Sequence, residues 1–195
     1  MIGAPYRRLQ QGEWNRLNRP TTIGAHCDIG PFCVVGAEAM IGECTVLDSF
    51  TLIGWGATIG KNVIATHRAT VGAKARIGDD CVIGGLICER SVVGNGSRVF
   101  GDLIHRQLDP AIPWDAPEAM ENSPTLEDGA FIGWGAIVVG DIKIGKGAYV
   151  CAGATVTRDV DPGKIVKGTN EIISPDEWPG KLLEKNASVR CGPTI

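Results

Sequence analysis

The stretch IGAHCDIGPFCVVGAEAMIGECTVLDSFTLIGWGATIGKNVIATHRATVGAKARIGDDCVIG, residues 23–84, repeats itself every six residues. An aliphatic mark falls at Ile23, Ile29, Val35, Ile41, Leu47, Ile53, Ile59, Val71 and Ile77, with the smaller Ala65 between the last two pairs. Glycine follows the mark in eight of these ten units, which makes it part of the repeat and not a chance enrichment. Two residues ahead of the marks stand Cys27, Cys33, Ala39, Thr45, Thr51, Ala57, Val63, Ala69 and Ala75, nearly all small. A strand period of two places no glycine every sixth residue, and a helical period of 3.6 drifts off the pattern within two units. A six-residue period is the mark of a parallel β-helix, each unit forming one flat side of a coil. The aliphatic and the small residue then point inward from every side, and stacked coils share one core.

Working outward, the register closes with a short unit, Ile83 to Leu86, and resumes at Ile87, Val93 and Val99. It breaks over HRQLDPAIPWDAPEAMENSP, residues 105–124, which is rich in proline and acid. The period returns at Leu126, Ile132, Val138, Ile144, Val150 and Val156, with Ala130, Ala136, Ala148 and Ala154 as small partners. The economical reading is one prism, residues 23–168, with one looped-out excursion over 105–125. Insertions of that length in a tight repeat are commonly functional. Residues 1–22 precede the repeat and are expected to hold a short helix near Leu9–Leu17. Residues 169–195 follow it, with a short helix expected in SPDEWPGKLLEK.

Composition narrows the function. The 195 residues carry a net charge of −3 and 27 glycines. A mixed, slightly acidic charge gives no footing for nucleic acid or an anionic membrane. MIGAPYRRLQQGEWNRLNRP has no apolar core of a signal peptide, and nothing approaches a membrane span. A soluble, cytoplasmic protein is therefore expected. The seven cysteines are odd in number and lack Cys-x-x-Cys spacing. Cys27, Cys33 and Cys81 fall on small inward sites, so all are expected to be reduced and non-catalytic.

Three histidines, His26, His67 and His105, are the candidates for a general base. His105 opens the excursion, and Asp102, Asp109 or Asp115 could orient its second ring nitrogen. His67 stands outward in ATHRAT, a unit without the glycine. His26, near one end of the prism, reads as structural. Trp114 and Asp115 in IPWDAPE put an aromatic plane beside a carboxylate, which suits a sugar ring or an amine.

The IGxxxx units, the loop with HRxxD, and FIGWGAIVVGDIKIGKGAYVCAGATVTRDVDPGKIVKG together resemble the hexapeptide acyltransferases. The resemblance is to the branch of galactoside, maltose, nodulation and xenobiotic acetyltransferases, over residues 23–168. It implies a left-handed parallel β-helix, a homotrimer with active sites between prisms, and acetyl-CoA as acyl donor. The acceptor it implies is a small molecule with an amine or hydroxyl, such as an amino sugar, a nucleotide sugar or an antibiotic. Carried over by position, His105 is the base with His67 as the second choice. Trp134, Ala152 and Thr157 border the pantetheine arm, and Arg158, Lys164 and Lys167 lie near the phosphates. The mechanism expected is direct attack by the acceptor on the thioester, without metal or cysteine acyl-enzyme. Two other readings stand beside it: a non-catalytic β-helical scaffold, and a γ-class carbonic anhydrase holding zinc with three histidines. The latter family's His-x-x-x-x-His pair is missing here.

Overall fold

The computed structural model describes residues 1–4, 20–106 and 123–177. These form a parallel β-solenoid of about seven turns, consistent with the left-handed form. Strands of two or three residues stack into three sheets of eight, seven and nine strands, here called A, B and C. Each turn of the chain runs from B to C to A. Regular coils take eighteen residues, three six-residue units, as the pairings Met40↔Thr58, Val46↔Ile64 and Leu52↔Thr70 show. The three edges between sheets are named BC, CA and AB.

The repeat's marks do what their spacing requires. Val35, Leu47, Ile53, Val71, Ile83, Ile87, Val99, Leu126, Ile132, Ile144, Val150 and Val156 are all buried, as are the small partners Ala57, Ala69, Ala75, Ala130, Ala136, Ala148 and Ala154. Burial of each large aliphatic contributes roughly 1.5–3 kcal/mol. Ile23, Cys27 and Ile29 are only partly buried, because they belong to the lowest coil. The six cysteines among the described residues are free.

The glycines after the marks sit where one coil crosses the next. A Cβ on Gly24, Gly54 or Gly72 would lie 2.5 Å from a backbone nitrogen of the coil above. Among the described residues, three units are shorter than six residues. On the AB edge, Thr155–Val156 is followed by Val160, which bridges Ile144, so that Tyr149 pairs with Ile165 sixteen residues on. On the CA edge, in successive coils, strand Val82–Ile83 is followed by Leu86–Ile87, and Arg98–Val99 by Asp102–Ile104. The second of these, VFGDL, makes Leu103 the inward residue; a strict count of six would have put that mark at residue 105.

The excursion leaves sheet A after Ile104 and re-enters sheet B at Thr125–Leu126, in register with Val92–Val93. At the bottom, Ile2–Ala4 joins sheet A beside Val34–Gly36, so the segment ahead of the repeat begins as a strand. At the top, Glu171–Ile173 turns back antiparallel on Ile165–Lys167, pairing its open edge. Of the helix expected in SPDEWPGKLLEK, a single 3₁₀ turn is seen at Pro175–Glu177. Its start is capped by the Glu177 carboxylate, which accepts from Ser174 N and Oγ at 2.9 Å. The expected helix near Leu9–Leu17 lies outside the described residues. No helix among the described residues is long and apolar enough to cross a membrane.

Candidate functional site

The three histidines stand on three different edges of the prism. His26 is on the BC edge, His67 on the CA edge and His105 on the AB edge, each in the turn that follows a strand. No three His, Cys, Asp or Glu side chains come together as a metal-ligand group among the described residues. His67 is exposed and meets Phe50 edge-on, with ring centroids 5.5 Å apart.

The AB edge gathers the most chemistry. The pairings Ile87↔Leu103, Leu103↔Val138 and Val138↔Val156 fix the register of four coils. Two residues further on stand Glu89, His105, Gly140 and Arg158, one from each of these four coils, the AB column of corner positions. Glu89 Oε2 lies 3.8 Å from His105 Nδ1. That nitrogen is closed off from solvent and makes no hydrogen bond within the described residues. The carboxylate aimed at His105 is therefore Glu89 of the coil below. Asp102, a candidate for that role, instead accepts a hydrogen bond from Leu86 N at 3.0 Å on the face of sheet A. Asp109 and Asp115 lie outside the described residues.

Beneath the histidine, Ser123 at the end of the excursion donates to Glu89 O at 2.6 Å, which ties the returning chain to the turn carrying Glu89. Cys88 Sγ lies 3.2 Å from Ser91 Oγ. Burial pushes the Cys88 thiol above its usual pKa, partly offset by its hydrogen bonds with Ser91 and to Ser123 Oγ, to which the thiol donates. A thiol held protonated is a poor nucleophile, so proximity to His105 does not make Cys88 a candidate acyl carrier.

Above the histidine, the Arg106 side chain climbs across Gly140. A Cβ on Gly140 would lie 3.0 Å from Arg106 Nε and 3.3 Å from Cζ, and Gly140 has φ +97°. Arg106 Nη2 then donates to Thr157 O at 3.2 Å, two coils up. Thr157 is itself locked to Asn170: its N–H donates to Asn170 Oδ1, and Asn170 Nδ2 donates to Thr157 Oγ1, both at 3.0 Å. Arg158 Nη2 donates to Asn170 O at 2.7 Å. So His105, Thr157 and Arg158 share one edge, joined by Arg106.

The other sequence-derived candidates are spread over the prism. Trp134 and Ala152 occupy successive turns of the CA edge, in the same corner position as His67. Trp134 is 62% exposed and stacks on Phe100, with centroids 4.8 Å apart. The two shortened units of this edge make room for this: a Cβ on Gly84 would meet Phe100 at 3.0 Å and Trp134 at 3.4 Å. Lys164 lies on the BC edge, and Lys167 ends a strand of sheet C, paired with Glu171 at 3.0 Å. Trp114 and Asp115 lie outside the described residues. Glu89 and Arg106 were not singled out from sequence. A signal existed, since a coil shortened by one dipeptide puts Glu89 sixteen residues before His105.

No protein-family model matches the chain. It is 26% identical over 181 residues, 86% of its length, to the bifunctional protein GlmU of a Geobacillus species, strain WCH70. It is 31% identical over 156 residues to the bifunctional protein GlmU of an Exiguobacterium species. The chain spans 39% and 33% of these two relatives. A Bacillus cereus structure named as an acetyltransferase shares the fold, with a TM-score of 0.50 and 16% identity, covering 88% of this chain and 81% of that one. With the repeat and the fold, these similarities support a place in the hexapeptide-repeat acyltransferase superfamily.

Proposed function

We propose that this chain transfers an acyl group, acetyl by default, from coenzyme A to the amine or hydroxyl of a small acceptor such as an amino sugar, a nucleotide sugar or an antibiotic. In this reading it works in the manner of the galactoside, maltose and xenobiotic acetyltransferases. The observation that carries the proposal is the AB column. A carboxylate, an imidazole and two guanidinium groups lie along one edge of a rigid ladder.

The thioester supplies the acyl group; of this edge, Thr157 would border the pantetheine arm and Arg158 would lie near the phosphates. His105 accepts the acceptor's proton on Nε2 while Glu89 holds Nδ1 and balances the imidazolium that forms. The carbon–sulfur bond breaks as the new amide or ester bond forms, and His105 returns the proton to the leaving sulfur. The 3.8 Å separation of Glu89 from Nδ1 would shorten once substrates are bound. The working unit is a homotrimer, in which the CA edge of one copy, with Trp134 and Ala152, faces the AB edge of the next. That assembly would bring together cofactor candidates that a single prism keeps apart.

The test is His105→Ala, assayed by thiol release from acetyl-CoA against a panel of amino sugars and amines. Turnover should fall about 100-fold or more, while acetyl-CoA still raises the melting temperature. Undiminished turnover in the variant would refute His105 as the base and move the assignment to His67.

A further inference from the structure

We propose that Ser123 is a positioning residue, whose hydroxyl holds Glu89 against the ring of His105 by standing in for a main-chain hydrogen bond that the excursion removes. The lower corners of the AB edge show the bond that is missing. At each of them the carbonyl two residues past the mark accepts from the coil above: Ala37 O from Gly56 N at 2.9 Å, Trp55 O from Lys74 N at 2.8 Å, and Ala73 O from Arg90 N at 2.9 Å. The next carbonyl in this series is Glu89 O, and the next donor is Arg106 N. These two make no such bond, because the chain leaves the prism there. Glu89 O accepts from the Ser123 hydroxyl instead, at 2.6 Å. A partly buried carbonyl needs a partner, and the serine supplies the one the ladder has lost.

The same hydroxyl gathers both ends of the excursion. Ser123 is buried, and its Oγ accepts from the Cys88 thiol at 3.6 Å. That thiol, also buried, lies 3.2 Å from Ser91 Oγ and takes a hydrogen bond from the main chain of His105. The chain thus departs at His105 and returns at Ser123 around one buried cluster, Cys88, Ser91 and Ser123, and Glu89 is the residue that follows Cys88. The Glu89 side chain is 33% exposed, so rotamers that point to water are open to it. Pinning its carbonyl fixes the direction of its Cα–Cβ bond. With that direction goes the 3.8 Å approach of Oε2 to the closed-off Nδ1 of His105.

The inference rests on the reading of His105 as the base of an acyl transfer, and the experiment separates the two. Its first readout needs no turnover: the ring-nitrogen chemical shifts of His105 in the full chain, at a pH where the ring is neutral. With the Glu89 carboxylate held at Nδ1, the ring proton sits on Nδ1 and leaves Nε2 free. Ser123→Ala should move the proton toward Nε2, as Glu89→Gln should, and should add nothing in the Glu89→Gln background. Ser97→Ala is the control, since Ser97 is fully buried and its hydroxyl also donates to a carbonyl, Glu127 O at 3.3 Å. It should lower the melting temperature and leave the ring unmoved. The second readout is acetyl transfer, in which Ser123→Ala should lower kcat about 10- to 100-fold with the KM for acetyl-CoA unchanged. Wild-type ring signals in Ser123→Ala, an equal shift in Ser97→Ala, or undiminished kcat in an active protein would overturn the proposal. A ring that responds as stated in a protein without acetyl transfer would uphold the role of Ser123 and sink the acyl-transfer reading alone.

Discussion

The contact of Arg106 with Gly140 can be tested by a methyl group. Gly140→Ala places a Cβ 3.0 Å from Arg106 Nε and 3.3 Å from Nη2, closer than carbon and nitrogen settle. The backbone ladder is fixed by Gly140 N donating to Ile104 O at 2.8 Å, so the arginine, the flexible partner, moves. Its departure forfeits the hydrogen bond to Thr157 O, worth about 1 kcal/mol. The φ of +97° adds about 1–2 kcal/mol for any residue with a Cβ. Gly140→Ala should therefore cost about 2–3 kcal/mol, and Arg106→Ala about 1 kcal/mol. In the double variant the hydrogen bond is lost only once, so the total stays at about 2–3 kcal/mol. The singles then overshoot the double by about 1 kcal/mol, or roughly 2–4 °C for a chain of this size. Thermal melts of the four proteins measure this directly. Strict additivity would mean that the guanidinium does not lie over Gly140, and would undo the account of the column above His105.

Two further outcomes follow from the solenoid itself. Gly85→Ala puts a Cβ 1.9 Å from Gly101 O, so stacked backbone must part by more than about 1 Å, a cost of about 3 kcal/mol or more. Gly96→Ala meets nothing within 4 Å and carries only the penalty of φ +67°, about 1–2 kcal/mol. Equal melting temperatures for the two variants would refute the tight crossing at the shortened CA edge. The second outcome concerns Cys81, whose thiol is pushed up to about 11 by burial, against 9.0 as its ordinary value. Between pH 9 and 11 the unfolded chain gives up this proton and the folded chain holds it. The stability present below pH 9 is therefore lost as pH rises through about 11, by about 2–3 kcal/mol. Cys81→Ala, a residue already used at the equivalent sites Ala69 and Ala75, should melt with a flatter alkaline profile; parallel profiles would contradict the assignment.

What the sequence made legible follows from where the repeat keeps its period. Inward residues are dictated by a local rule, so the core from Val35 to Val156 could be read unit by unit. The shortened unit at Ile83–Leu86 was visible because its Ile-Gly pair survives. The one at Val99–Leu103 was hidden because Phe100 takes the glycine's place, and Leu103 went unrecognised as an inward mark. The strand at Glu171–Ile173 was likewise invisible, since its pairing is antiparallel and owes nothing to the six-residue rule.

The site was harder to read than the core because its contacts run along the solenoid axis. Glu89 meets His105 across sixteen residues, and Arg106 reaches Thr157 across fifty-one. No local pattern links such positions; only the sum of coil lengths does, and that sum changes with each shortened unit and with the excursion. Had the register continued unbroken from Val99, residue 105 would fall on an inward mark, where a core aliphatic belongs. The four-residue unit ending at Leu103 moves the mark back by two and turns His105 outward at the AB corner, directly above Glu89. The excursion then begins within two residues of the last ladder pair, Ile104↔Val139. His105 and Arg106 are thus set by the rigid prism, although they stand at the mouth of a loop. The same two-residue shortening that hid the site from a strict count is what creates it.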